Sequence, residues 1–175
     1  FWPIALDTKY KDVEAMADQE IDVTLFNGAV RNSENEHLAH LLRAKTKVLV
    51  AYGSCAHMGG IPGLGNFSNR EGIFERVYDT SESTVNPDKL RPQTETKMKE
   101  GVLELPEFYN DVRSLDQVVD VDYYLPGCPP QTERLVEVFM AIVTGAELPP
   151  KGNWFSTPSF VRRTIGAYNQ TSNEA

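Results

Sequence analysis

The chain has 175 residues, a formal net charge of −8 and 41% hydrophobic residues, a balance that suits one domain with a real core. The acid excess, with no basic stripe to offset it, argues against a nucleic-acid ligand. Its longest apolar runs, such as residues 136–143, are too short to span a bilayer, and nothing resembles a signal peptide; the cytoplasm is the expected location.

Taken in order, residues 1–6 are apolar with a proline and read as a strand end running into a loop; the methionine-free opening at Phe1 reads as the inside of a domain. Tyr10–Met16 fits a helical turn, with Lys9, Lys11, Asp12 and Glu14 toward water. Ile21–Phe26 is rich in β-branched and aromatic residues and is closed by Asn27-Gly28, which predicts a strand. Ser33 and Glu36 have capping-box spacing, ahead of a helix with Leu38, Leu41 and Leu42 on one face and Lys45 and Lys47 near its end, where cations favour the dipole. Val48–Tyr52 is a continuous apolar run, as expected of a parallel strand covered on both faces.

Phe67–Tyr78 predicts a short helix with Ser68 as its cap. Residues 79–105 are dominated by Asp, Ser, Thr, Asn and Pro and read as a long irregular excursion, the kind of loop that serves binding or partner contact. Pro106–Val119 returns to helical spacing through Leu105, Phe108, Tyr109, Val112, Leu115 and Val118. Val119–Leu125 predicts another strand. Pro129 and Pro130 then suit a helix start, followed by an apolar face of Leu135, Val136, Phe139, Met140 and Val143 and a stop at Gly145. Residues 1–150 thus read as one α/β domain with a parallel sheet, and residues 151–175 as a polar arm or tail.

Two cysteines carry the chemistry. Cys55 lies in a glycine-rich stretch, residues 52–66, and Cys128 in Leu125-Pro126-Gly127-Cys128-Pro129-Pro130; each directly follows a predicted strand. Functional groups of parallel sheets gather beyond the carboxyl ends of the strands, so both thiols are expected at one sheet edge. Iron–sulfur ligation needs thiolates, usually four for a cubane, and backbone N–H groups aimed at sulfur. Glycine allows close backbone approach and proline stiffens the turn; Gly53, Gly59, Gly60, Gly63, Gly65 and Gly127, with Pro129 and Pro130, have that character. Other readings stay open: a Cys55–Cys128 disulfide in an oxidising compartment, a phosphate-cradling glycine loop, or a Cys55 nucleophile beside His57. His37 and His40, three apart on the predicted helix, could share a face for a metal, but with no third ligand nearby they read as solvated.

The Gly53–Asn66 stretch and Asp122–Pro130 resemble the small subunit of nickel–iron hydrogenases and the related 20-kDa subunit of NADH:quinone oxidoreductase. Asp7–Glu14, Phe26–Arg31 and Arg91–Thr96 are similar to the methyl-viologen-reducing, heterodisulfide-reductase-associated branch. The resemblance implies a flavodoxin-like parallel sheet whose first strand precedes Phe1. It also implies a proximal 4Fe-4S cluster with Cys55 and Cys128 as its third and fourth ligands and a Cys-x-x-Cys pair upstream supplying the others. The implied role is electron relay between a nickel–iron large subunit and an iron–sulfur or heterodisulfide-reductase-linked acceptor. Gly53, Ser54, Gly127 and Pro129 would support the cluster, and His57 would tune it or meet a partner. A quinone-reductase cluster subunit, or a flavin or nucleotide module without a cluster, are the alternatives.

Overall fold

The chain alternates strand and helix through its first half, then departs from that rhythm. In the computed structural model, residues 8–144 are described; the predicted strand end over residues 1–6, any earlier strand, the stop at Gly145 and the arm over 151–175 lie outside them. In order come α1 (Tyr10–Ala15), β1 (Ile21–Asn27), β2 (Val30–Asn32), α2 (Ser33–Lys45), β3 (Thr46–Tyr52), α3 (Gly53–Met58) and α4 (Arg70–Phe74). Then follow β4 (Glu95–Met98), β5 (Gly101–Glu104), β6 (Phe108–Arg113), β7 (Tyr123–Leu125) and α5 (Thr132–Thr144).

β3 is the middle strand. It pairs in parallel with β1, Val23 opposite Val48 and Phe26 opposite Ala51, and with β7, Val50 opposite Tyr123 and Tyr52 opposite Leu125. Its continuous apolar run is explained by burial on both faces. Leu49 and Ala51 pack with Ala39 and Leu42 of α2 and Ala56 of α3, whereas Val50 packs with Tyr123, Leu125 and Val138 of α5. Side chains alternate across a strand, so neighbouring residues of β3 feed two separate core clusters. The result is the expected flavodoxin-like arrangement, a parallel sheet flanked by helices.

β7 is short, and a buried carboxylate fixes it. Asp122, 6% exposed, accepts from the Leu49 amide at 2.8 Å and from Arg43 Nη1 at 2.7 Å. Its own amide donates to the Leu49 carbonyl at 2.9 Å. Charge-assisted bonds of this kind are the strong ones, and here they compensate a charge that would otherwise be costly to bury.

Several expectations need correction. The N-cap of α2 is Asn32, whose side chain accepts from the Asn35 amide at 2.7 Å. Ser33 is already helical, and its hydroxyl accepts from Glu107 N at 2.9 Å. Glu36 serves β6 instead, through the Tyr109 hydroxyl and Arg113 Nη1. These two bonds hold the Glu36 carboxyl below its usual range, Tyr109 contributing most. The Phe67–Tyr78 helix is in fact three pieces: a 3₁₀ turn over Pro62–Phe67, α4 capped by Asn69 rather than Ser68, and a wider π turn over Glu75–Asp79.

Residues 106–119 are not helical. β6 pairs antiparallel with β2, and only Leu115–Gln117 forms a 3₁₀ turn. The 79–105 excursion is irregular only to residue 94, after which β4 and β5 form a hairpin. Even its irregular part is tied down: Arg91 pairs with Asp79 and Glu71, and the Asn86 side chain bonds the Tyr78 and Leu90 carbonyls. On α5, Val138 is buried and Leu135 half-buried, while Val136, Phe139 and Met140 are exposed.

Candidate metal centre

β3 leads straight from Tyr52 into α3, so the Cys55 segment is wound into a short helix and not held as an open loop. Gly53 makes the turn at φ +84°, and a Cβ there would lie 3.4 Å from the Gly127 carbonyl oxygen. The Ser54 amide donates to that same oxygen at 2.8 Å. The segments bearing Cys55 and Cys128 are therefore hydrogen-bonded to each other beyond the adjoining carboxyl ends of β3 and β7. Both cysteines are free thiols, Cys55 half-buried and Cys128 exposed.

Close backbone packing explains the glycines. Gly59 closes α3 in the left-handed region, its amide bonding the Cys55 carbonyl at 3.0 Å, a common glycine helix ending. Gly60 follows at φ +53°; a Cβ there would sit 2.8 Å from Cys55 Sγ and 3.0 Å from Cys55 Cα. On the other segment, Gly127 has φ +134°, and a Cβ would fall 2.5 Å from Pro130 Cα and 2.7 Å from the Pro129 oxygen. Pro129 is exposed, follows a cis peptide bond, and leads with buried Pro130 toward α5.

His57, two residues beyond Cys55, is half-buried with its ring tilted 58° against Tyr124 at 5.1 Å between centroids. Burial pushes its pKa down, against the attraction of Asp116. Tyr124 donates to Asp116 Oδ2 at 3.2 Å, and Asp116 also accepts from the Ser114 hydroxyl. Burial and the Asp116 charge both raise the Tyr124 pKa. Sequence reasoning misses this Tyr124–Asp116 setting, which no local pattern announces. It also misses Arg31, whose guanidinium lies 4.4 Å over the Phe108 ring and against Gly65. His37 stacks on Tyr10 at 5.8 Å between centroids. Among the described residues, no three or more His, Cys, Asp or Glu side chains converge as a metal site, and no helix is long and apolar enough to cross a membrane.

Fold and site define an α/β protein of flavodoxin-like type whose two cysteine-bearing segments are hydrogen-bonded to each other beyond its parallel sheet. Residues 2–142 match the family described as NADH ubiquinone oxidoreductase, 20 Kd subunit, and the chain belongs to that family. It is 50% identical over 157 residues to an F420-non-reducing hydrogenase iron-sulfur subunit of Archaeoglobus profundus, covering 89% of this chain and 49% of that protein. With an F420-non-reducing hydrogenase subunit of Methanothermobacter thermautotrophicus it shares 36% identity over 148 residues, 85% of this chain and 44% of the relative. A crystal structure of NAD+-reducing NiFe-hydrogenase in the H2-reduced state contains a chain that superposes with a TM-score of 0.63 at 32% identity, covering 73% of this chain and 68% of that one. The chain spans about half the length of the curated relatives it matches.

Proposed function

We propose that this chain is the electron-transfer small subunit of a nickel–iron hydrogenase, with Cys55 and Cys128 as two thiolate ligands of a proximal 4Fe-4S cluster. The observation that carries the reading is the Ser54 N–H to Gly127 C=O bond at 2.8 Å, which joins the two cysteine segments where two parallel strands end together. The donors fit the group. Both thiols are free, and the space a Cβ on Gly60 would fill lies against Cys55 Sγ. Two thiolates are half of a cubane's usual ligand set, so the remaining ligands come from outside the described residues.

When bound, the cluster supplies one-electron transfer between the large-subunit nickel–iron centre and further carriers. The chain's own residues hold and shield it. Cys55 and Cys128 bind as thiolates; Gly53 and Ser54 keep α3 against the second segment; Gly127 and Pro129 shape the turn that presents Cys128. His57, two residues from a ligand on the same short helix, tunes the potential or meets a partner. Partners are the large subunit and an iron–sulfur or heterodisulfide-reductase-linked acceptor, in the cytoplasm. The alternative of a quinone-reductase cluster subunit draws on the family description, but the hydrogenase subunits at 36–50% identity weigh against it.

Anaerobic purification of the full-length protein with its large subunit tests the reading. Iron, acid-labile sulfide and a low-temperature EPR signal on reduction are expected, with loss of the signal in Cys55→Ser and Cys128→Ser. Flavin without iron or sulfide would overturn it.

A further inference from the structure

The β4–β5 hairpin is an anomaly in the fold. Every residue of both strands is exposed, and among the described residues the two strands pair only with each other. A two-stranded hairpin alone is marginal in water; a third strand, or a surface to pack on, is what makes one stable. The hairpin has two unlike faces. Residues opposite each other share a face, so the register places Thr96, Met98 and Leu103 on one side and Glu95, Lys97 and Glu104, interrupted by Val102, on the other. The Leu105 amide bonds the Thr94 carbonyl at 3.0 Å, which extends the first side to that pair. Met98, Leu103 and Leu105 are each more than half exposed. Thr94 and Leu105 also line a cleft of about 630 Å³ with Ile73, Phe74, Val77 and Tyr78, so the apolar side of the hairpin continues a wall of that cleft.

The outer edge of β4 indicates what completes the sheet. Hydrogen-bonded and non-bonded pairs alternate along an antiparallel ladder. Thr94 bonds Leu105, so Thr96 and Met98 also turn their main-chain groups to β5, and Glu95 and Lys97 turn theirs outward. Charged side chains on an edge strand ordinarily deter pairing; here they are one acid and one base, two residues apart on one face. A second copy of β4 laid antiparallel on this edge must match residues whose main-chain groups both face outward. Centred on Glu95 or on Lys97, that match opposes like charges. Centred on Thr96, it sets Glu95 opposite the second copy's Lys97 and Lys97 opposite the second copy's Glu95, and opposite charges across strands are stabilising. We infer that the β4 edges of two copies of this chain pair in the Thr96-centred register, joining two hairpins into a four-stranded antiparallel sheet about a two-fold axis. The contact is isologous. It also sets the second copy's Met98 opposite Thr94, on the side that faces the cleft, so each copy offers an apolar side chain to the cleft of the other. None of this rests on the proposed function.

The test is sedimentation equilibrium of the full-length protein as wild type, Glu95→Lys, Lys97→Glu, and an equimolar mixture of the two variants. Wild type is expected to dimerise reversibly with concentration. Each single variant puts two like-charge pairs across the joint and should weaken dimerisation about tenfold or more, with far-UV circular dichroism unchanged because both positions are exposed. In the mixture, one copy of each variant restores opposite charges at both pairs, and dimerisation should return to near wild-type strength. That rescue separates self-pairing from every other use of the edge. Wild type that stays monomeric, as when the rest of the full-length chain covers the edge, would overturn the proposal. So would single variants that dimerise like wild type, which would place the contact elsewhere. A mixture that stays as weak as its components would also overturn it, and would assign the edge to a strand of a different protein.

Discussion

The two cysteine segments reach the same sheet edge by different means. Cys55 follows the middle strand, is wound into α3, and has its sulfur packed against Gly60; the chain itself builds that environment. Cys128 follows a three-residue strand at the end of the described sheet, sits in a turn shaped by Gly127 and prolines, and is exposed. One thiol is set by the fold, and the other is held in place but left uncovered.

Asp122→Ala offers the largest expected effect. It takes the carboxylate from Arg43, which keeps only carbonyl partners, and the acceptor from the Leu49 amide, and should cost about 3 kcal/mol in denaturant unfolding, loosening β7 and the Cys128 segment before β1 and β3. Equal loss of hydrogen-exchange protection in all three strands would break the contrast. Gly127→Ala should cost about 2–3 kcal/mol, because its Cβ meets Pro130 backbone at 2.5 Å and nothing there can swing aside. Gly60→Ala should cost about 2 kcal/mol, while Gly63→Ala, whose nearest neighbour would be 3.9 Å away, should be near neutral; equal melting temperatures for the two would refute the packing argument.

A smaller effect is kinetic. In reduced, cluster-free protein, iodoacetamide should modify exposed Cys128 several-fold faster than half-buried Cys55, read by peptide mass spectrometry; equal rates would erase the distinction. The smallest effect concerns pH. His57 binds its proton less readily when folded than when unfolded, so its contribution is intact above about pH 6.5 and is lost as pH falls through the folded pKa. His57→Gln should flatten the decline in melting temperature below that point, and an unchanged slope would remove His57 from the account.

What can be read from sequence follows burial. The apolar runs of β1 and β3 and the helical leucines of α2 announce themselves because a core selects them. β6 passes for helix because Phe108, Tyr109 and Val112 recur at near-helical spacing, yet Tyr109 and Arg113 turn to Glu36 while Phe108 stacks under Arg31. Its partner β2 lies far away in sequence, so no local period records the pairing. The β4–β5 hairpin is exposed along its whole length and has no buried face to leave an alternating pattern. At the site, the cysteines and glycines stand out by type, and Gly59 as a helix-ending glycine is a signal for α3. Arg31 has no such signal, since its neighbours Phe108 and Gly65 come from distant parts of the sequence.

The joint between the cysteine segments is made of main-chain atoms alone, Ser54 N–H to Gly127 C=O. Alanine at Ser54 would pass over it without a trace, and drift in the side chain there leaves it standing. Only a residue with no N–H to give, proline at position 54, deletes the donor. The link between the two cysteine segments is thus insulated from side-chain change at Ser54 and exposed to change at the glycines around it.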